Sequence, residues 1–164
     1  MVKENDIDYV WEILETVQDP EIPVLSVVDL GVVRKAEFIE GRLHVTITPT
    51  YSGCPAMELI EREVKEALVA GGFDDVEVLT SINPPWTTDW MSEAGKKKLF
   101  EYGISPPEKS SVDKSSITGK VKSVICPNCK SSNTQLKSQF GSTPCKSMYV
   151  CSDCLEPFDH FKCI

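Results

Sequence analysis

The sequence lacks any run of 18 or more apolar residues, so no stretch reads as a membrane-spanning helix. Its opening MVKENDIDYVW has neither the basic start nor the apolar centre of a secretory signal. Histidine is scarce: only His44 and His160 occur, and no nearby histidine completes a cysteine–histidine catalytic pair with Cys54. Basic residues are sparse in the first half, where Met1 to Leu79 holds 6 Lys/Arg against 17 Asp/Glu, a charge of −11. An acidic surface of that kind repels nucleic acid and anionic membrane, which excludes both as expected partners of this half. The second half carries +3, with 11 basic and 8 acidic residues. It has no dense Lys/Arg tract of the kind nucleic-acid binders use.

What is abundant is cysteine. Seven cysteines, partly grouped in C-x-x-C pairs, suit metal or redox chemistry better than a disulfide framework in a chain without a signal peptide. Reduced thiols and a soluble, cytoplasmic protein are the expectation.

The chain is near the usual size of one domain, with room for a small second module. Ile7, Val10, Leu14 and Val17 recur at helical spacing, with Asp6 as cap and Asp19-Pro20 as stop. DPEIPVLSVVDLGVV, Asp19 to Val33, is too rich in proline for a helix, yet apolar enough to be a buried, shaped loop. Two strands, Val32–Ile39 and Leu43–Thr48, are expected to pair as a hairpin through Glu40-Gly41. Met57, Ile60, Val64, Ala67 and Leu68 mark one face of a second helix that stops at Gly71-Gly72. A third strand follows at Val76–Leu79, able to run parallel to a hairpin strand.

The order αββαβ predicts an α+β fold: a small two-layer domain over residues 1–104, both helices covering one face of the sheet. Cap and stop signals add a short helix at Ser92–Tyr102, and Trp86, Trp90 and Phe100 are expected to clasp the layer. Residues 105–120, rich in Ser, Pro and charge, read as a linker. Residues 121–164 form the second module.

That module contains C126-P-N-C129 and C151-S-D-C154, separated by 21 residues. Each pair lets the chain turn back so that both thiolates reach one ion, and two pairs complete a tetrahedron of soft ligands. Cys126, Cys129, Cys151 and Cys154 are therefore the predicted ligands of a zinc ribbon with one structural zinc. Rubredoxin-like iron or a cluster is the alternative occupant. His160 and Cys163 could replace one pair, and Cys145 and Cys163 could equally be small buried side chains.

The remaining cysteine, Cys54, stands in TPTYSGCPAM, where strand gives way to helix. Proline favours the first helical position, which would leave Cys54 near the N-cap. Unpaired amides and the helix dipole there would favour thiolate, hence nucleophilicity and metal affinity. A buried, inert thiol is the competing reading. Asp19, Glu21 and Asp29 of the proline-bearing loop could lie beside Cys54 and offer oxygen ligands to a transient iron ion, or could serve only as caps and solvated charges. His44, alone on a strand, reads as ordinary polar packing.

DPEIPVLSVVDLGVV with TPTYSGCPAM resembles the domain of iron–sulfur cluster assembly and carrier factors, a small α+β fold. CPNC, FGSTPCKSMYVC and CLEPFDHFKC resemble the tail of one branch, the PaaD-like subunits encoded with the multicomponent phenylacetyl-CoA epoxidase (ring 1,2-phenylacetyl-CoA oxygenase) of aerobic phenylacetate breakdown. In that system the oxygenase carries a di-iron centre and the reductase a flavin and an iron–sulfur cluster. The resemblance implies an accessory or maturation role without turnover of its own, with the reductase or oxygenase subunits as partners. It implies Cys54 as the functional thiol, Asp19 and Glu21 as its acidic companions, and iron or an iron–sulfur cluster as transient cargo. Two other classes remain at this point: a non-catalytic scaffold, which would bind without transfer, and a thiol oxidoreductase. The latter needs a resolving thiol, and the other six cysteines all lie beyond the linker.

Overall fold

The computed structural model describes residues 6–108 and 123–162. Most of the expected linker, and Cys163, lie outside the described residues. The chain divides into two compact units, Met1–Gly95 and Lys96–Ile164.

In the first unit, helix α1 (Ile7–Thr16) starts where the Asp6 side chain accepts from the Tyr9 amide, a standard N-cap that satisfies one orphan donor. It buries Val10 and Leu14. Strands β1 (Val33–Ile39) and β2 (Arg42–Ile47) pair antiparallel, turning through Glu40 and Gly41, both at positive φ (51° and 86°), as a tight two-residue hairpin requires. Helix α2 (Met57–Ala70) leads to β3 (Val76–Thr80), which runs parallel to β2 with Val45 opposite Val78. The sheet order is β1-β2-β3, and α1 packs on β1 while α2 packs on β3 and α1. This is the expected α+β arrangement. Alternation in β2 sends Leu43, Val45 and Ile47 into the core with Ile60, Val64 and Leu68 of α2. Each such fully buried side chain contributes about 1.5–3 kcal/mol.

The segment between α1 and β1 is a buried, internally hydrogen-bonded loop. Ile22, Leu25, Val27 and Leu30 are all 2% exposed or less, while Asp19 N donates to Leu25 O and Val27 N to Val17 O. Trp86 is buried and donates its indole N–H to Leu30 O at 3.0 Å. The Arg34 guanidinium stacks 3.5 Å from the Trp90 ring centroid. Helix α3 (Glu93–Tyr102) begins at Ser92, whose hydroxyl accepts from Gly95 N and donates to Asp29 Oδ1.

The second unit holds a four-stranded sheet in the order β4-β7-β6-β5. Its strands are β4 (Ile104–Ser105), β5 (Thr134–Ser138), β6 (Lys146–Cys151) and β7 (Pro157–Phe161). The sequence predicts a first domain that ends at 104 and a linker from 105. In the structure Ile104 and Ser105 instead pair parallel with Asp159 and His160, so this two-residue strand belongs to the ribbon's sheet. The core of this unit is Val124, Tyr149 and Phe158 around Cys126 and Cys151, with Leu136 and Cys154 packed against it. The Tyr149 and Phe158 rings stack at 5.9 Å. Among the described residues no helix is long and apolar enough to cross a membrane.

Candidate metal centre and thiol site

The four ribbon cysteines converge. Cys126 lies just ahead of a turn, and Cys151 closes β6 before a second turn. Their sulfurs and those of Cys129 and Cys154 all fall within 4.8 Å of one another. Across the two pairs, Cys126 Sγ stands 3.7 Å from Cys154 Sγ, and Cys129 Sγ stands 3.5 Å from Cys151 Sγ. A tetrahedral ion with bonds of about 2.3 Å to sulfur separates its ligands by about 3.8 Å, so the donor set fits zinc. The first cysteine of each pair is fully buried, whereas Cys129 is exposed and Cys154 partly so.

The protons of this cluster are unevenly held. The Ser131 backbone N–H favours the Cys129 thiolate, but the sulfurs of Cys151, Cys154 and Cys126, with burial, push it up to about 12. The Glu156 backbone N–H, aided by the Asn128 amide, pulls Cys154 down to about 7 against burial. Four thiols this close cannot all ionise unless a cation takes the place of their protons. His160 is not part of the cluster: its Nδ1 lies 3.1 Å from Ser105 O and its ring meets Tyr149 edge-on. Cys145 is buried, with its sulfur 3.0 Å from Thr143 Oγ1.

Cys54 occupies the loop between β2 and α2. Its amide donates to Tyr51 O across a turn in which Gly53 has φ +79°. The helix starts later than the sequence suggests: Ala56 is the N-cap, without a side-chain cap bond, and Pro55 lies in the preceding turn. Cys54 is therefore half-buried ahead of the helix, not at its first amides. The Ala56 N–H still reaches its sulfur, but burial outweighs it and pushes the thiol above its ordinary value; Glu21 and Asp19 add to the rise, while a hydrogen bond from Tyr51 opposes it. Desolvation and two nearby carboxylates thus act against the pull of the amides on which the sequence-based expectation of helix-end activation rests.

Of the three acidic residues expected near Cys54, Asp19 and Glu21 do lie within its electrostatic reach. Asp19 is 5% exposed, and its Oδ1 accepts from the amides of Glu21 and Ile22 at 2.9 and 2.8 Å, which fixes the loop under Glu21. Asp29 bonds to Ser92 Oγ at 2.7 Å and to the Ser26 amide. It is a structural clamp. His44 pairs with Glu77 at 3.3 Å on the sheet. The sequence reading overlooked Tyr51, whose position three residues before Cys54 in a glycine-bearing turn is the signal that could have found it.

These two features define a class: a small α+β domain with a thiol beside acidic groups, joined to a four-cysteine zinc ribbon. Residues 7–80 match the family profile of iron-sulfur cluster assembly proteins, and residues 110–162 match that of the PaaD zinc beta ribbon domain. The chain is 46% identical over 155 residues, 94% of its length and 92% of the relative's, to an Escherichia coli protein provisionally named as a 1,2-phenylacetyl-CoA epoxidase subunit. It belongs to the PaaD family. Its first part is 44% identical over 88 residues, 52% of this chain and 85% of the relative, to a Bacillus subtilis Fe-S protein maturation auxiliary factor. Among solved structures, a domain of unknown function from Bacillus anthracis superposes with TM-score 0.53 at 33% identity, covering 56% of this chain and 89% of that one. A conserved hypothetical protein of Thermotoga maritima gives TM-score 0.51 at 32% identity, covering 60% and 98%.

Proposed function

We propose that the protein is an accessory, maturation subunit of a phenylacetyl-CoA epoxidase system, without turnover of its own, which hands iron or an iron–sulfur cluster to the reductase or oxygenase component through Cys54. The names carried by its relatives from Escherichia coli and Bacillus subtilis support the setting. The observation that carries the mechanism is the grouping of a half-buried thiol with the Glu21 and Asp19 carboxylates. Those carboxylates disfavour a thiolate that stands alone, yet they attract a cation. Arrival of a metal as cargo exchanges the thiol proton for a sulfur–metal bond and releases that proton to solvent. Departure of the cargo takes the proton back. A thiol held protonated until a cation arrives is guarded against oxidation, because the thiolate is the reactive form. That favours a carrier over a thiol oxidoreductase, as does the standing of Cys54 as the sole cysteine of residues 1–95. In the ribbon, Cys126, Cys129, Cys151 and Cys154 hold zinc, which supplies a covalent cross-link between the two turns.

The test is reconstitution of the reductase cluster in three mixtures: without this protein, with it, and with the Cys54→Ala variant. Faster recovery with the wild type alone is the expected result. Equal recovery in all three removes the transfer role and leaves a scaffold.

A further inference from the structure

The two cysteine pairs are tied to each other by side chains that are not themselves ligands. Asn128 in C-P-N-C and Asp153 in C-S-D-C occupy the same position, immediately before the second cysteine of each pair. Each reaches across to the opposite pair. Asp153 Oδ1 accepts from Asn133 Nδ2 at 2.8 Å and its Oδ2 from the Ser131 hydroxyl, while Asn128 Nδ2 points at Cys154 Sγ from 3.7 Å.

The segment that receives Asp153 is fixed to both pairs by backbone as well. Cys126 N donates to Ser131 O at 2.9 Å, and Ser152 N donates to Asn133 O at 2.8 Å. Ser131 Oγ accepts in turn from the Asn133 amide at 3.0 Å. Asp153 is exposed and makes no salt bridge among the described residues. Both its oxygens serve hydrogen bonds from neutral donors on the other turn. A carboxylate suits that task because it accepts on two oxygens at once.

The distances this arrangement governs are those between the pairs, Cys126 to Cys154 and Cys129 to Cys151. Within one pair the short C-x-x-C turn sets the spacing; between the pairs only the ion's own bonds and hydrogen bonds of this kind do. We propose that Asp153, with Asn128, is a positioning residue of the metal site: it locks one cysteine pair against the other and thereby slows release of the bound ion. Asp153 acts through its hydrogen bonds to Ser131 and Asn133, not through its charge.

The experiment uses the full chain loaded with zinc and follows transfer of the ion to an excess of a chromophoric chelator. Asp153→Ala is expected to release zinc about 10–100-fold faster, the usual cost of losing a partner that orients metal ligands. Substitution of cobalt(II) for zinc adds a second readout: the ligand-field bands of Asp153→Ala should shift or weaken, which a change in stability alone does not produce. Asp153→Asn keeps one oxygen to accept from Asn133 Nδ2 and turns its NH2 to the Ser131 hydroxyl, which can accept from it, so both bonds survive without the charge and most of the slow release should be restored. Should Asp153→Ala fail to fold, the Ser131→Ala/Asn133→Ala double variant removes the same bonds from the other side and should reproduce the fast release. Release within about twofold of wild type in both variants overturns the proposal, being well short of that expected loss. So does an Asp153→Asn chain that loses zinc as fast as Asp153→Ala, since the charge and not the hydrogen bonds would then be responsible.

Discussion

Gly31 lies against the backbone of Trp90: a Cβ at Gly31 would stand 2.4 Å from the Trp90 carbonyl oxygen and 2.7 Å from its carbonyl carbon. Gly31 also has φ +73°, a region that other residues enter only at a cost. The loop bearing Asp19 and Glu21 therefore closes under the tryptophan segment because this one position has no side chain. Gly31→Ala should destabilise the first unit by about 2 kcal/mol or more, combining left-handed strain with a clash against backbone that cannot swing away. Urea unfolding followed by tryptophan fluorescence measures it, and an unchanged midpoint would contradict the close approach.

Cys54 should titrate above the ordinary thiol value, because burial and then Glu21 and Asp19 raise it. The sign follows directly. A thiol whose folded-state value is raised contributes stability that is fully present below its unfolded value and is lost as pH climbs through the folded one. In metal-free protein, the rate of alkylation of Cys54 should therefore rise with a midpoint more alkaline than that of a free cysteine peptide. Glu21→Gln should move the midpoint down. A midpoint at or below that of the peptide would sink this account of the site.

Much of this architecture could be read from residue order. Asp6 as cap, Glu40-Gly41 as hairpin turn and Gly71-Gly72 as helix stop each act through neighbours in sequence, so each was legible. The two C-x-x-C pairs were legible for the same reason, since a metal turn is a local device. What failed to show depended on distant neighbours. The pairing of Ile104–Ser105 with β7 joins residues 55 apart, Ile104 to Asp159, and two residues carry no periodicity. The direction of the Cys54 shift depends on burial and on where the Asp19 loop folds, neither of which a residue's sequence neighbours reveal. The Ser92–Asp29 bond likewise joins residues 63 apart in sequence.

Metal analysis should find about one zinc per chain, as a single four-thiolate site requires. Cys126→Ser or Cys151→Ser should abolish it, because both side chains are wholly buried and a serine hydroxyl is a poor ligand beside three thiolates. Chelation should disorder the ribbon, whose core of Val124, Tyr149 and Phe158 is small, while the first unit keeps its helical circular dichroism. Full zinc retention by both variants refutes the ligand set.

Lys130 and Leu155 each follow the second cysteine of a pair, and both have positive φ, 63° and 64°. A metal turn imposes that conformation whatever residue stands there, and only glycine adopts it freely. Leu155 is also 76% exposed, so packing returns little for the strain. Replacing either by glycine relieves about 1–2 kcal/mol of left-handed strain. It also frees the unfolded chain, which takes back about 0.4–1 kcal/mol. Leu155→Gly should thus stabilise the zinc-loaded ribbon by about 0.5–1 kcal/mol, the difference between those two effects, seen as a higher midpoint in thermal unfolding with zinc in excess. Lys130→Gly should act in the same direction. A loss of stability in Leu155→Gly would mean that this exposed leucine makes a contact in solution that outweighs its strain.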